Sequence, residues 1–129
     1  MFPLDWLYIQ SVWPQFYAAT LTTLEISIIS IFLSIIVGLI SSIILTYKFF
    51  ILDKLVACYI EVSRNTPLLI QLFFLYYGLP KIGIKIDGFT CGIIGLTFLG
   101  GSYMAEVFRA GLQSVSKGQI DSAKSIGLN

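Results

Sequence analysis

Long apolar runs separated by short polar stretches organise this chain. Ile26 to Tyr47 carries no charge over 22 residues, enough for a helix to span about 30 Å of hydrocarbon. Thr20, Thr22 and Thr23 precede it as candidate caps, and Lys48 follows it, which predicts a helix over 21–47. Glu25 then falls in the first turn, near the positive end of the helix dipole. Asn65 to Pro80 is also free of charge but only 16 residues long, short for a crossing. Thr66-Pro67 reads either as the start of a new helix or as a kink in one helix over 55–79 that also carries Glu61 and Arg64. The kinked helix is preferred because it supplies the missing length. Lys81 to Asp87 is a polar turn, and a third apolar run predicts a helix over 88–111. A short helix is expected over 119–126 in the polar tail.

The apolar runs contain their own pattern. Ser27, Ser30, Ser34, Gly38 and Ser41 recur at steps of three and four, which places them on one helix face. Gly88 and Gly92, then Gly101 and Ala105, do the same in the third run. Small residues in apolar helices let backbones approach closely, so these helices expect helical neighbours.

Composition changes the picture from core to membrane. The 129 residues are 57% hydrophobic and only 12% charged, against about 25% charge in soluble domains. A chain this short cannot hide that much apolar surface within itself. The net charge of +1 gives no basic field for nucleic acid. The first 47 residues lack Lys and Arg, so the positive n-region expected of a signal peptide is missing from them. Met1 to Phe16 mixes Trp6, Tyr8, Trp13 and Phe16 with Pro3 and Pro14, a broken aromatic segment suited to the membrane–water boundary. Lys and Arg divide six to two: Lys48, Lys54, Arg64, Arg109, Lys117 and Lys124 against Lys81 and Lys85. That asymmetry predicts an outside N-terminus and a cytoplasmic C-terminus.

Catalytic and metal chemistry find little support. Histidine is absent, which removes the commonest general base and metal ligand. Gly100-Gly101-Ser102 therefore lacks the base a serine nucleophile needs. There is no GxxxxGK[ST] loop, HExxH or CxxC, and no cofactor is expected. Cys58 and Cys91 fall near opposite ends of the membrane, too far apart to pair. Two tetrapeptides share one form, Glu61-Val-Ser-Arg64 and Glu106-Val-Phe-Arg109. Spacing of three sets each Glu beside its own Arg, so two intrahelical charge pairs are expected at the cytoplasmic boundary, either as interfacial anchors or as a charge network that reports to a cytoplasmic partner.

Four segments in order then resemble the permease subunits of polar amino-acid ABC importers. Thr23-Leu24 looks like the start of the family's first core helix. Arg64-Asn65-Thr66-Pro67-Leu68-Leu69 is similar to the segment opening its second. Tyr103, Ala105, Glu106, Phe108, Arg109 and Gly111 match its Tyr-x-Ala-Glu-x-Phe-Arg-x-Gly stretch. Lys117-Gly118-Gln119, Asp121-Ser122-Ala123 and Gly127-Leu128 resemble its cytoplasmic "EAA" loop, with Asp121 and Ser122 where Glu and Ala are usual.

The resemblance implies an all-α integral membrane fold, a single transmembrane domain over 1–129 with three spans and a coupling helix. It implies an ATPase-docking loop at Lys117, Gly118, Gln119, Asp121, Ser122, Ala123 and Gly127. The expected helix over 119–126 puts Asp121 in its first turn, where the dipole favours an acid, and Gly127 is placed to end it. The implied partners are a separate ABC ATPase subunit, a second permease subunit (the same chain or another), a solute-binding protein, the lipid bilayer and an amino-acid substrate. No covalent step is expected in this chain, and no residue is singled out as substrate-binding. Family members continue through two further membrane helices, so the chain is expected to be the N-terminal portion of an inner-membrane permease. A small membrane anchor or assembly subunit, or an inactive truncated fragment, remains the alternative.

Overall fold

The computed structural model describes residues 6–128, with Lys117 described by its backbone alone. Helix α1 covers Trp6–Tyr47, α2 Leu52–Asn65, α3 Leu68–Phe73, α4 Gly88–Gln113 and α5 Lys117–Ser125. A π-helical turn, Phe74–Gly78, and a 3-10 turn, Leu79–Ile82, extend α3. Gly83 stops that extension at φ 90°, a left-handed conformation that suits a residue without a Cβ. Strands are absent among the described residues.

α1 is longer than the charge-free run predicts. Its 42 residues reach back through Pro14 to Trp6, a length of about 63 Å at 1.5 Å per residue. The broken aromatic segment is therefore helical from Trp6 onward, while its first five residues, Pro3 included, lie outside the described set. Pro14 removes one backbone donor but does not end the helix. The threonines expected as caps sit in mid-helix. Thr20, Thr22 and Thr23 donate to the carbonyls of Phe16, Ala18 and Ala19 at 2.8, 3.1 and 2.9 Å. A hydroxyl satisfied four residues back has no need of water or a helix end. Glu25 consequently lies inside α1 and not in its first turn.

α1 and α4 form the centre of the packing, joined through small residues. Ser30, Ser34, Gly38, Ser41 and Ser42 are the buried positions of α1. Cys91, Gly95, Gly101, Ser102 and Ala105 are those of α4. Gly92 faces Ile26, Gly100 faces Ser34, Gly101 faces Val37 and Gly38 faces Met104. Numbers rise together along both helices, so α1 and α4 run parallel. A methyl group added to Gly38 would collide with Met104 and stand 2.9 Å from its backbone carbon.

The interior inverts that of a soluble domain. Among the described residues the buried apolar side chains are Ile60, Cys91 and Ala105, whereas six serines are buried: Ser30, Ser34, Ser41, Ser42, Ser63 and Ser102. Large apolar groups such as Ile28, Phe32, Phe73 and Val107 face outward. Water would oppose this surface, while lipid is neutral to it and leaves close packing of small faces to hold the helices. α1 and α4 are long and apolar enough to cross a membrane, and Leu68–Ile82 is a shorter apolar helical stretch.

The continuous kinked helix expected over 55–79 is instead two helices with an extended break. Thr66 (φ −109°, ψ 122°) and Pro67 (φ −56°, ψ 137°) are both non-helical. Proline disfavours helical geometry in the residue before it, which ends α2 at Asn65. Neither residue caps α3 with its side chain. After the break, Leu68 and Leu72 approach Gly95, and Tyr76 approaches Gly88, so this stretch runs opposite to α4.

Candidate functional site

Two features stand out at the end of the bundle shared by the C-termini of α1 and α4. One is a charged cavity between helices. The other is α5, which packs on no other described helix.

The cavity begins with the way α2 meets α4. Tyr59 and Ser63, one turn apart, both reach the Phe98 carbonyl. The Tyr59 hydroxyl donates to it at 2.7 Å and Ser63 Oγ at 3.0 Å. Ser63 Oγ also lies 3.1 Å from Ser102 Oγ, and the Ser102 hydroxyl donates to the Leu99 carbonyl at 2.7 Å. Both serines are fully buried, so this knot is the fixed point of the crossing. Successive turns of α2 thus meet one turn of α4 at the Phe98 carbonyl.

Past the knot, Arg64 donates to Glu106 across the two helices. The guanidinium also sits 5.2 Å from the centre of the Tyr103 ring, a cation–π distance. The expectation of two intrahelical pairs is therefore corrected: Arg64 pairs with Glu106 and not with Glu61. Spacing of three makes Glu61 and Arg64 neighbours on one helix, but the crossing brings an opposite charge from another helix nearer. Glu61 and Arg109 form no ion pair among the described residues. All four charges, with Asn65 and Tyr103, line one cavity of about 500 Å³. The Asn65 amide is occupied, donating to the Glu61 carbonyl at 2.8 Å.

Gln71 holds the break beside this cavity. Its amide nitrogen donates to the carbonyls of Ser63 at 3.0 Å and Thr66 at 2.9 Å. Those carbonyls belong to the end of α2 and the break itself, where a helix leaves acceptors without backbone donors. Pro67 thus sits in a stitched gap between two helices. The sequence reading missed Gln71, Tyr59, Ser63 and Ser102. The available signal was Gln71 and Ser102 as polar side chains within apolar runs; Tyr59 and Ser63 lie outside those runs.

α5 starts two residues earlier than expected, at Lys117, because Ser116 is its cap. Ser116 Oγ accepts from the Gln119 backbone N–H, and the Gln119 side chain accepts from the Ser116 N–H, a reciprocal capping box. The Ser-x-x-Gln spacing was readable in the sequence. At the other end Gly127, at φ 84°, donates to the Lys124 carbonyl and Leu128 to that of Ala123. This is the paired-bond closure in which a left-handed glycine follows a helix. Because α5 starts at Lys117, Asp121 falls past its first turn and not in it as expected; Asp121 and Ser122 are exposed, Ala123 is half-buried, and Gly118 and Gly127 have open space around them. The Lys117 side chain lies outside the described set.

At the opposite end, Asp87 caps α4. Its carboxylate accepts from the Thr90 hydroxyl at 2.6 Å and the Thr90 N–H at 3.1 Å. These bonds, the hydroxyl's first, hold its pKa below the ordinary carboxylate value.

The model of the family "binding-protein-dependent transport system inner membrane component" matches residues 30–129. The chain is 41% identical over 109 residues to a probable glutamine ABC transporter permease of Bacillus subtilis, GlnP, covering 84% of this chain and 50% of that protein. It is 37% identical over 127 residues to a probable amino-acid ABC transporter permease of Vibrio harveyi, PatM, covering 96% and 57%. A crystal structure of an amino acid ABC transporter with histidines superposes on 99% of this chain and 60% of that one, with a TM-score of 0.87 at 32% identity. The chain spans about half the length of the curated relatives it matches.

Proposed function

The chain belongs to the family of binding-protein-dependent transport inner-membrane components, and from that premise we propose that it forms part of the permease of an ATP-driven amino-acid importer. Its single domain crosses the membrane three times, through α1, the α2–α3 stretch and α4, with the N-terminus outside. The six-to-two division of Lys and Arg supports that orientation. The likeness to an amino acid ABC transporter over 99% of the chain supports the substrate class.

One observation carries the mechanism: α5 is closed at both ends by its own bonds yet touches no other described helix. A nine-residue helix is marginal in water, and packing against a partner is what stabilises short helices. The partner is the ABC ATPase subunit, whose closing moves α5 and, through the short link at Ser114 and Val115, the end of α4. Movement of α4 reaches α2 through the Arg64–Glu106 pair and the serine knot, and so re-aims the helices that line the pathway. A second permease subunit covers much of the outward apolar surface, and a solute-binding protein delivers substrate outside.

Co-purification tests the reading. The ATPase subunit should leave detergent-solubilised membranes together with the tagged chain. A chain that purifies free of any ATPase contradicts the docking role.

A further inference from the structure

We infer that the charged cavity between α2 and α4 is a weak binding site for the zwitterionic backbone of a free α-amino acid, with Arg109 taking the carboxylate and Glu61 the ammonium. The inference rests on the amino-acid permease reading and goes beyond it by naming a site.

Four charged groups line this cavity, two of each sign. Arg64 and Glu106 satisfy each other, and Tyr103 covers the guanidinium face. That leaves one acid and one base, neither in an ion pair or side-chain hydrogen bond with any described residue. They come from different walls: Glu61 from α2 and Arg109 from α4. A cavity of about 500 Å³ has room for one amino acid and several waters.

The chemistry selects the ligand. A guanidinium presents a planar fork that matches a carboxylate, and a carboxylate accepts well from an ammonium. A ligand carrying only one charge leaves the other wall unmatched. Both charges lie about one carbon apart in every α-amino acid, whatever its side chain, so the site reads the class and not the member. Its place, at the end of the bundle that carries α5, is where substrate would leave on the cytoplasmic side. Weak binding suits an exit, since tight binding there would hold back release.

Equilibrium dialysis of the full chain in lipid nanodiscs tests the site, with empty nanodiscs as the blank. The probes are L-glutamine, which carries both charges, L-glutaminamide, which keeps the ammonium alone, and N-acetyl-L-glutamine, which keeps the carboxylate alone. L-glutamine should be retained about tenfold better than either analogue, the effect of one charge-assisted contact. Arg109→Gln should remove that advantage while leaving L-glutaminamide binding unchanged. Glu61→Gln should do the same while leaving N-acetyl-L-glutamine unchanged. Equal retention of all three probes overturns the site, as does N-acetyl-L-glutamine matching L-glutamine, which is simple anion binding at Arg109. The probes alone decide the matter if a variant fails to fold. No retention by a chain that still captures its ATPase overturns this site and leaves the permease reading standing.

Discussion

Arg64 at the end of α2 and Glu106 near the end of α4, 42 residues apart, form an ion pair that spans two helices. Each residue also has an opposite charge three positions away in its own helix, at Glu61 and Arg109, and ignores it. A double-mutant cycle on detergent unfolding of the chain should show coupling between Arg64→Met and Glu106→Gln. The side chains are 37% and 48% exposed, so solvent screening limits the coupling to about 0.2–1 kcal/mol. The same cycle on Arg64→Met and Glu61→Gln should be additive. Coupling to Glu61 in place of Glu106 would contradict the crossing.

The contact between α1 and α4 sets up a second contrast. Gly38→Ala would push a methyl group into Met104 and the backbone of Ala105, and overpacking of this kind costs about 1–3 kcal/mol. Gly111→Ala meets nothing within 4 Å and gains helix propensity, worth about 0.5–1 kcal/mol. Unfolding midpoints of the two variants should therefore move in opposite directions. Equal shifts would remove the close approach of these helices.

The cap of α4 is expected to respond to acid. Hydrogen bonds from Thr90 lower the Asp87 pKa in the folded chain. Its stabilising contribution is therefore complete above the ordinary carboxylate pKa of about 3.9 and is lost as pH falls through the lowered folded value. Exchange of the Thr90 amide, taken relative to its intrinsic rate at each pH, should stay slow from neutral to mildly acid pH and quicken only at strongly acid pH. In Asp87→Ala it should be faster throughout, with that acid step gone. An acid step retained in Asp87→Ala would assign it to another group.

Topology follows from the proposed orientation. With Cys58 and Cys91 replaced, a cysteine placed at Lys85 should react with a membrane-impermeant reagent on intact cells, and one at Lys117 should not. The reverse pattern would invert the chain in the membrane.

The all-helical class was legible because the apolar runs are long and charge is scarce. The need of α1 for a close helical neighbour was legible too, since Ser30, Ser34, Gly38 and Ser41 repeat at helical spacing and are buried together, but that α4 is this neighbour was not. Features depending on how helices cross were not. Nothing local to Glu61-Val-Ser-Arg64 reveals that Glu106 lies nearer to Arg64 in effect than Glu61 does, and nothing around Gln71 reveals which carbonyls the break leaves open. The start of α1 was misread for a different reason. Prolines and aromatics resemble a boundary segment by composition, but one proline removes a single bond from a helix that is otherwise intact. The caps Asp87 and Ser116 were present as local patterns and went unread.

Docking of an ATPase on α5 is the central claim, and Ala123→Arg tests it most directly. Ala123 is half-buried within a helix whose neighbours are exposed, and its small side chain permits close contact with a covering surface. An arginine there would place an uncompensated charge in a packed interface, at a cost of about 3–5 kcal/mol. Membrane insertion depends on the apolar helices and should be unaffected. The measurement is the amount of ATPase subunit recovered with wild-type and Ala123→Arg chains from membranes holding equal amounts of each. The account predicts near-complete loss of ATPase from the variant. Equal recovery with both chains would contradict it and leave α5 an ordinary tail.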